Sequence, residues 1–211
     1  MKKFVTFASQ QKPEKFEKFK YEAVDNSRLR YGATSYPIIP VINGYLDAGD
    51  EFEVLAIVAD YEHTRKNFEV LKEELKEVLE QKGIPFDEEK QLKVISIPFD
   101  DSINTQMSLF GKLLEQLNDW DEIYACITYG SKPAEIIELM MLRYIRQIKK
   151  NAYIGCVVYG HIKWGKDKTE EKKAYIYDLT ALVRLDDIIH TAGKLNQQSG
   201  ELLIKNLTVL D

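Results

Sequence analysis

Thr128, Tyr129, Gly130, Ser131 and Lys132 stand in a row and are followed by Pro133. An apolar, strand-like run precedes them and a helical pattern follows, so they occupy a strand-to-helix turn. Pro133 fits the first helical position and biases Lys132 toward an extended backbone, which puts Lys132 at or near the helix cap. Lysine is a poor cap because it offers no acceptor to the free amides of a helix start. Those amides, the positive helix end and the ammonium would converge on one place, an arrangement suited to a phosphate. Gly130 lets backbone come close, and Thr128 and Ser131 add hydroxyls. The same residue types also build an ordinary βα turn.

Thr34 and Ser35 precede Tyr36-Pro37 and repeat the theme of hydroxyls before proline, as ligand contacts or as a plain cap. Arg28 and Arg30 either close over an anion or sit in solvent. Other chemistries find less support. No G-x-x-x-x-G-K-[ST] loop, no G-x-G-x-x-G and no G-x-S-x-G elbow occurs, so nucleoside triphosphate hydrolysis, dinucleotide redox and a serine nucleophile lack their motifs. His63, His161 and His190 are scattered without metal-ligand spacing. Asp100-Asp101 and Asp186-Asp187 are sequence neighbours that point apart, and they read as loop or helix-start residues rather than an acid and base pair. No metal and no cofactor is expected.

The elements that would position these groups alternate along the chain. Apolar, β-branched runs at 4–8, 52–59, 92–97, 122–128 and 153–159 suit strands covered on both faces. Helical stripes occupy 37–46, 66–81, 103–117 and 133–150. This order predicts right-handed βαβ units: an α/β fold with a Rossmann-like open, mainly parallel sheet and helices on both faces. In such a sheet the ligand sits beyond the carboxyl ends of the strands, where the strand order reverses. Here that crevice is flanked by Ser9 and Gln10 after the first strand and by residues 128–132 after the fourth. The helix from Pro133 is apolar around most of its circumference, which fits a deep core position or a dimer interface. The stretch 10–36 reads as irregular, 163–173 as a charged solvated loop, and 200–211 as a last strand or the beginning of an absent effector region.

The 211 residues fit a single domain, and 30% charged with 45% hydrophobic residues describes a folded globular chain. A net charge of −5 argues against a surface built for long nucleic acid, while leaving room for a small anion in one site. Cys126 and Cys156 lie in apolar runs and read as reduced core residues. With no signal peptide and no window of about 20 apolar residues, the expected location is cytoplasmic, away from the membrane.

The first strand, then Cys126-Ile127-Thr128-Tyr129-Gly130-Ser131-Lys132, an apolar helix, CVVYGHIKW and AYIYDLTALVRLDDIIHTAGKL together resemble the CRISPR-associated Rossmann fold (CARF) family, in its D-x-T-H-G-like branch. Members carry D/N-x-S/T-x-x-x-R/K at the end of the fourth strand. Thr128 and Lys132 match the third and seventh positions. Cys126 stands where an acidic or amide residue is usual, and Tyr129 stands where the branch has histidine. The likeness covers most of the chain and is strongest over residues 122–195.

That resemblance implies a homodimeric sensor of cyclic oligoadenylate, the tetra- or hexa-adenylate ring made in type III CRISPR antiviral defence. The ring would lie across the two-fold axis, with Ser9, Gln10, Thr128, Gly130, Ser131 and Lys132 holding ribose and phosphate. A fused effector domain beyond residue 211 is the usual family arrangement. Two alternatives stand beside this reading. One is a metal-independent ring nuclease in which Lys132 and Ser131 stabilise developing charge. The other is a scaffold for protein interaction that binds no nucleotide.

Overall fold

In a computed structural model of the chain, residues 1–164 and 172–208 are described. Eight strands form one mixed sheet in the order β3-β2-β8-β7-β6-β1-β4-β5. Its parallel centre consists of β1 (Lys2–Phe7), β4 (Phe52–Ala59), β5 (Leu92–Ile97), β6 (Glu122–Cys126) and β7 (Tyr153–Lys163). As their apolar sequence requires, β4 and β6 are covered on both faces: Val54 through Ile57 and Ile123 through Cys126 are almost wholly buried, while the edge strand β5 leaves Val94 half-exposed.

Handedness fixes the side on which each helix lies. The steps β1 to β4 and β4 to β5 move one way across the sheet, through α1 (Ile38–Tyr45) and α2 (Glu62–Gln81). The steps β5 to β6 and β6 to β7 move the other way, through α4 (Ile103–Glu115) and α5 (Lys132–Ile148). Right-handed crossovers therefore put α1 and α2 on one face and α4 and α5 on the other. Contacts agree, with α1 packed on α2 and α4 packed on α5. The reversal falls between β1 and β6, the pair that the strand-end argument selects.

The segment 10–36 is more ordered than its composition suggests. It holds β2 (Phe19–Ala23) and the short β3 (Ala33–Thr34), which extend the sheet beside β8 (Lys173–Asp178). β8 runs antiparallel to β7, and β7 continues to Lys163 instead of stopping near Tyr159. Of the charged loop expected at 163–173, residues 165–171 lie outside the described ones. A four-residue helix, α3 (Glu88–Gln91), precedes β5.

After β8 come α6 (Thr180–Ala192) and α7 (Gln197–Thr208). Residues 200–208 are thus helical, not a strand, and 209–211 of the expected tail lie outside the described residues. Asn196 accepts from the Ser199 amide at 3.0 Å, and Gly200 sits so close to α6 that a Cβ there would lie 2.7 Å from the Ala192 carbonyl oxygen. Asp186 and Asp187 are inside α6 rather than at a helix start, and both ion-pair with Arg146 of α5, at 3.2 and 3.1 Å. Cys126 and Cys156 are buried and unpaired. No helix among the described residues is long and apolar enough to cross a membrane.

Candidate functional site

At the carboxyl edge of the sheet, on the α4 and α5 side, a cavity of about 150 Å³ opens. Strand ends make its apolar floor: Phe7 and Ala8 from β1, Ile57 and Ala59 from β4, Ile97 and Pro98 from β5. Phe99 is half-exposed and stacks on Tyr61 with ring centroids 4.3 Å apart. Gln10, Gln106, Ser131, Asp100 and Asp101 supply the polar lining.

The helix start at the cavity differs by one residue from the sequence expectation. Ser131, not Lys132, caps α5: its backbone is extended, and its Oγ accepts from the Ala134 amide at 3.4 Å. Lys132 is the first helical residue and Pro133 the second. Proline tolerates either position because neither amide has an intrahelical acceptor. Ser131 therefore lines the cavity together with Ala134, while Lys132 is exposed and makes no hydrogen bond or ion pair among the described residues. Glu135, one turn in, is half-buried, and burial pushes its carboxyl up while the neighbouring Lys132 pulls it back.

The turn that carries these groups is held from both sides. A Cβ on Gly130 would lie 3.2 Å from the Phe7 ring, so the absence of a side chain lets the turn close onto β1. Thr128 Oγ1 accepts from the Gly160 amide of β7 at 2.9 Å, and Cys126 Sγ lies 3.1 Å from the same oxygen. Burial pushes the Cys126 thiol up to about 12, so a neutral group stands where the resemblance calls for an acidic or amide one. Tyr129 turns inward: its hydroxyl donates to the Ser35 carbonyl at 2.8 Å, and its ring meets Tyr36 and Phe16 edge-on. Burial holds that hydroxyl well above the ordinary phenol range, so it stays a donor.

Thr34 and Ser35 already hold an anion, and it belongs to the chain. The carboxylate of Glu74, itself buried, accepts from Thr34 Oγ1, from the Ser35 amide at 2.9 Å and from the Tyr36 amide at 3.3 Å. Lys18 approaches the same carboxylate at 3.6 Å. These two hydroxyl residues are thereby joined to α2 and buried, on the opposite face of the sheet from the cavity. Ser9 is buried as well. Its amide donates to the Tyr36 hydroxyl at 3.2 Å, its carbonyl accepts from Asn67 at 2.9 Å, and its Oγ accepts from the Gln11 amide at 3.2 Å.

The structure therefore brings Gln10 and Ser131 to one cavity, puts Gly130 and Lys132 beside it, and assigns Ser9, Thr34, Ser35, Thr128 and Tyr129 to the frame around it. Arg28 lies over the Tyr45 ring, 4.7 Å from its centroid, and Arg30 lines a separate surface hollow beside β2. Phe99 and Gln106 escaped the sequence reading, and the Asp100-Asp101 pair, placed by it in a loop or helix start as found, was not read as part of a site. Applied to the end of β5, the strand-end rule would have found Phe99 and the aspartate pair, since Pro98 to Ser102 is the next loop along that edge. Gln106 is buried, and its Oε1 has no hydrogen-bond partner among the described residues, an acceptor waiting for a donor. Asp100 accepts from the Ser102 amide at 2.7 Å and from Thr105 Oγ1 at 2.8 Å, and these bonds hold its carboxyl below the usual range.

Chemically the site has two unlike halves. Apolar walls, with Gln10 and Gln106 in the lining, suit a flat heterocycle. The positive end of α5, with the Lys132 amide and ammonium, suits a phosphate even though Ser131 takes the Ala134 and Glu135 amides, whereas the Asp100 and Asp101 carboxylates keep an anion away from the opposite rim. Compared with known proteins, the chain matches no family model, and no curated protein matches it.

Proposed function

We propose that the chain is a sensing domain for cyclic oligoadenylate and works as a homodimer. The observation that carries this reading is the pairing, at the sheet's switch point, of a small, largely apolar cavity lined by Gln106 with a capped helix start and an unpaired lysine. At about 150 Å³ the cavity is well below the ~300–1,000 Å³ that encloses a drug-sized ligand, so it takes one base of a larger molecule. An adenine there lies beside Gln106, and the adjoining phosphate meets the Lys132 amide and ammonium at the start of α5. The resemblance to the CARF family points to the same ligand through Thr128 and Lys132.

Dimerisation draws on the outer surface of α5. Ile136, Leu139 and Met140 are 53%, 42% and 52% exposed, and with Leu182 of α6, 63% exposed, they border an apolar groove of about 440 Å³. Apolar side chains grouped in this way suit a self-complementary contact between two copies. Such a contact would bring two Ser131 and Lys132 pairs to one axis, where a symmetric ring meets both.

Thermal denaturation with cyclic tetra- and hexa-adenylate tests the reading. Ligand at 100-fold its Kd should raise Tm by about 5–10 °C. No shift with either ring contradicts the proposal and favours a nucleotide-free scaffold. Chromatography of the recovered ring, with and without chelator, distinguishes sensing from cleavage: intact ring supports the sensor, and linear product formed in chelator supports the ring nuclease.

A further inference from the structure

β6 ends opposite Val158, but β7 runs on to Lys163, so the outer part of the β7–β8 hairpin stands above the carboxyl edge of the sheet. Its two faces differ sharply. Gly160 faces α1 so closely that a Cβ there would lie 2.3 Å from Pro37, and Val158, Ala174 and Ile176 are buried with it. The alternate residues form three rungs on the other face: Tyr159 opposite Tyr177, His161 opposite Tyr175, and Lys163 opposite Lys173. Tyr159 and His161 lie nearly parallel, with centroids 6.1 Å apart and planes 29° apart, and Tyr175 and Tyr177 are 6.3 Å apart at 35°. Tyr159 is 37% exposed, and the other three rings are partly exposed.

Cross-strand aromatic pairs stabilise sheets, which alone accounts for two of the rungs. It does not account for the third. Like charges directly opposite one another destabilise a sheet, yet Lys163 and Lys173 face each other, both exposed and without an ion pair among the described residues. Lys20 of β2 shares this face, as does the carboxylate of Glu22, which pairs in register with Tyr175. Aromatic rings ending in a row of lysines, on a chain of net charge −5, complement a ligand of flat bases joined by phosphates.

The hairpin is also coupled to the candidate site. The Gly160 amide that bonds Thr128 lies between Tyr159 and His161, and Ser131, three residues beyond Thr128, lines the cavity. One cavity per copy holds one base, whereas a tetra-adenylate ring shared by two copies brings two bases to each. We infer that this hairpin face is a second, open base site, on which adenines of the same ligand stack while Lys163 and Lys173 meet the intervening phosphates. The inference rests on the ring-sensor reading for its ligand but on the hairpin alone for its chemistry.

Fluorescence anisotropy of the full chain with labelled cyclic tetra-adenylate and with labelled linear hexa-adenylate RNA tests it. Tyr159→Ala and Tyr177→Ala should each weaken binding roughly 5- to 150-fold, the usual effect of deleting one stacked ring. Tyr159→Phe and Tyr177→Phe keep the π-face and should bind within about 2-fold of the wild type. Tyr159→Leu keeps the packed area without the π-face, so it should lose binding with an unchanged melting temperature. Wild-type affinity for both probes in a folded Tyr159→Leu protein overturns the stacking surface and leaves the ring sensor standing. Ring-independent binding of the linear hexamer that is lost in Tyr159→Leu supports the surface and contradicts the ring sensor. No binding of either probe by the wild type overturns both.

Discussion

Glu138 offers the sharpest physical test of how α5 is built. It lies one turn beyond Ala134, which lines the cavity, and it is fully buried. Neither carboxyl oxygen has a hydrogen-bond partner among the described residues. Burial drives its carboxyl well above the ordinary carboxylate range, with the charge of Glu135 adding to the effect. A charged carboxylate without donors is so costly in such a place that the group is held protonated. In the unfolded chain the same group titrates near ~4.3. Between that pH and its folded value the native state binds the extra proton, so stability falls as pH rises, by about 1.4 kcal/mol per pH unit. The full contribution is present below the unfolded value, and the loss levels off above the folded one.

Urea denaturation of the wild type and Glu138→Gln at pH 5.5, 6.5 and 7.5 isolates this titration, because every other group cancels in the difference. The substitution keeps the shape and removes the proton equilibrium. Its stability relative to wild type should therefore grow with pH, at a limiting slope of about 1.4 kcal/mol per unit while the native carboxyl stays protonated. A difference constant to within ~0.3 kcal/mol across the range would refute the reasoning and would mean that the carboxyl finds a donor. The result also bears on function, since a negative charge appearing inside α5 opposes anion binding at its amino end.

Further expectations concern the frame and the site. Glu74→Ala strips a buried carboxylate from the Ser35 and Tyr36 amides and should cost about 3–5 kcal/mol, read as a Tm lower by roughly 10 °C; an unchanged Tm would mean that water replaces it. Gly160→Ala drives a methyl into Pro37 and should cost about 1–3 kcal/mol in urea denaturation while also weakening ring binding, because the Thr128 contact moves with the hairpin. Lys132→Ala should weaken ring binding more than ~10-fold with Tm nearly unchanged, since an exposed, unpaired side chain contributes within ~0.5 kcal/mol to stability. Unaltered ring affinity would remove Lys132 from the site.

The parallel centre was legible because residues buried on two faces are mostly apolar: FEVLAIVA and EIYAC announce themselves. β2 and β8 were not, since FKYEA and KAYIYD alternate inward and outward residues and are flanked by charges, a pattern that a solvated loop shares. The switch point followed from strand order, and with it Gln10 and Ser131. Local sequence misjudged the cap by one position because a proline suits the first or the second helical residue equally well. It also gave no sign that Thr34 and Ser35 serve Glu74, a partner 40 residues away. Hydroxyls before a proline read the same whether the anion they hold is a ligand or a side chain. Gln106 was invisible for a related reason: a glutamine in an amphipathic helix becomes notable only when burial leaves its oxygen without a donor.

Isothermal titration of the full chain with cyclic tetra-adenylate and cyclic hexa-adenylate tests the central claim most directly, because stoichiometry and affinity are read together. The account predicts one ring bound per two chains with at least one of the two ligands, and binding weakened more than ~10-fold by Lys132→Ala. Absence of heat with both rings, or one ring per single chain, would contradict it.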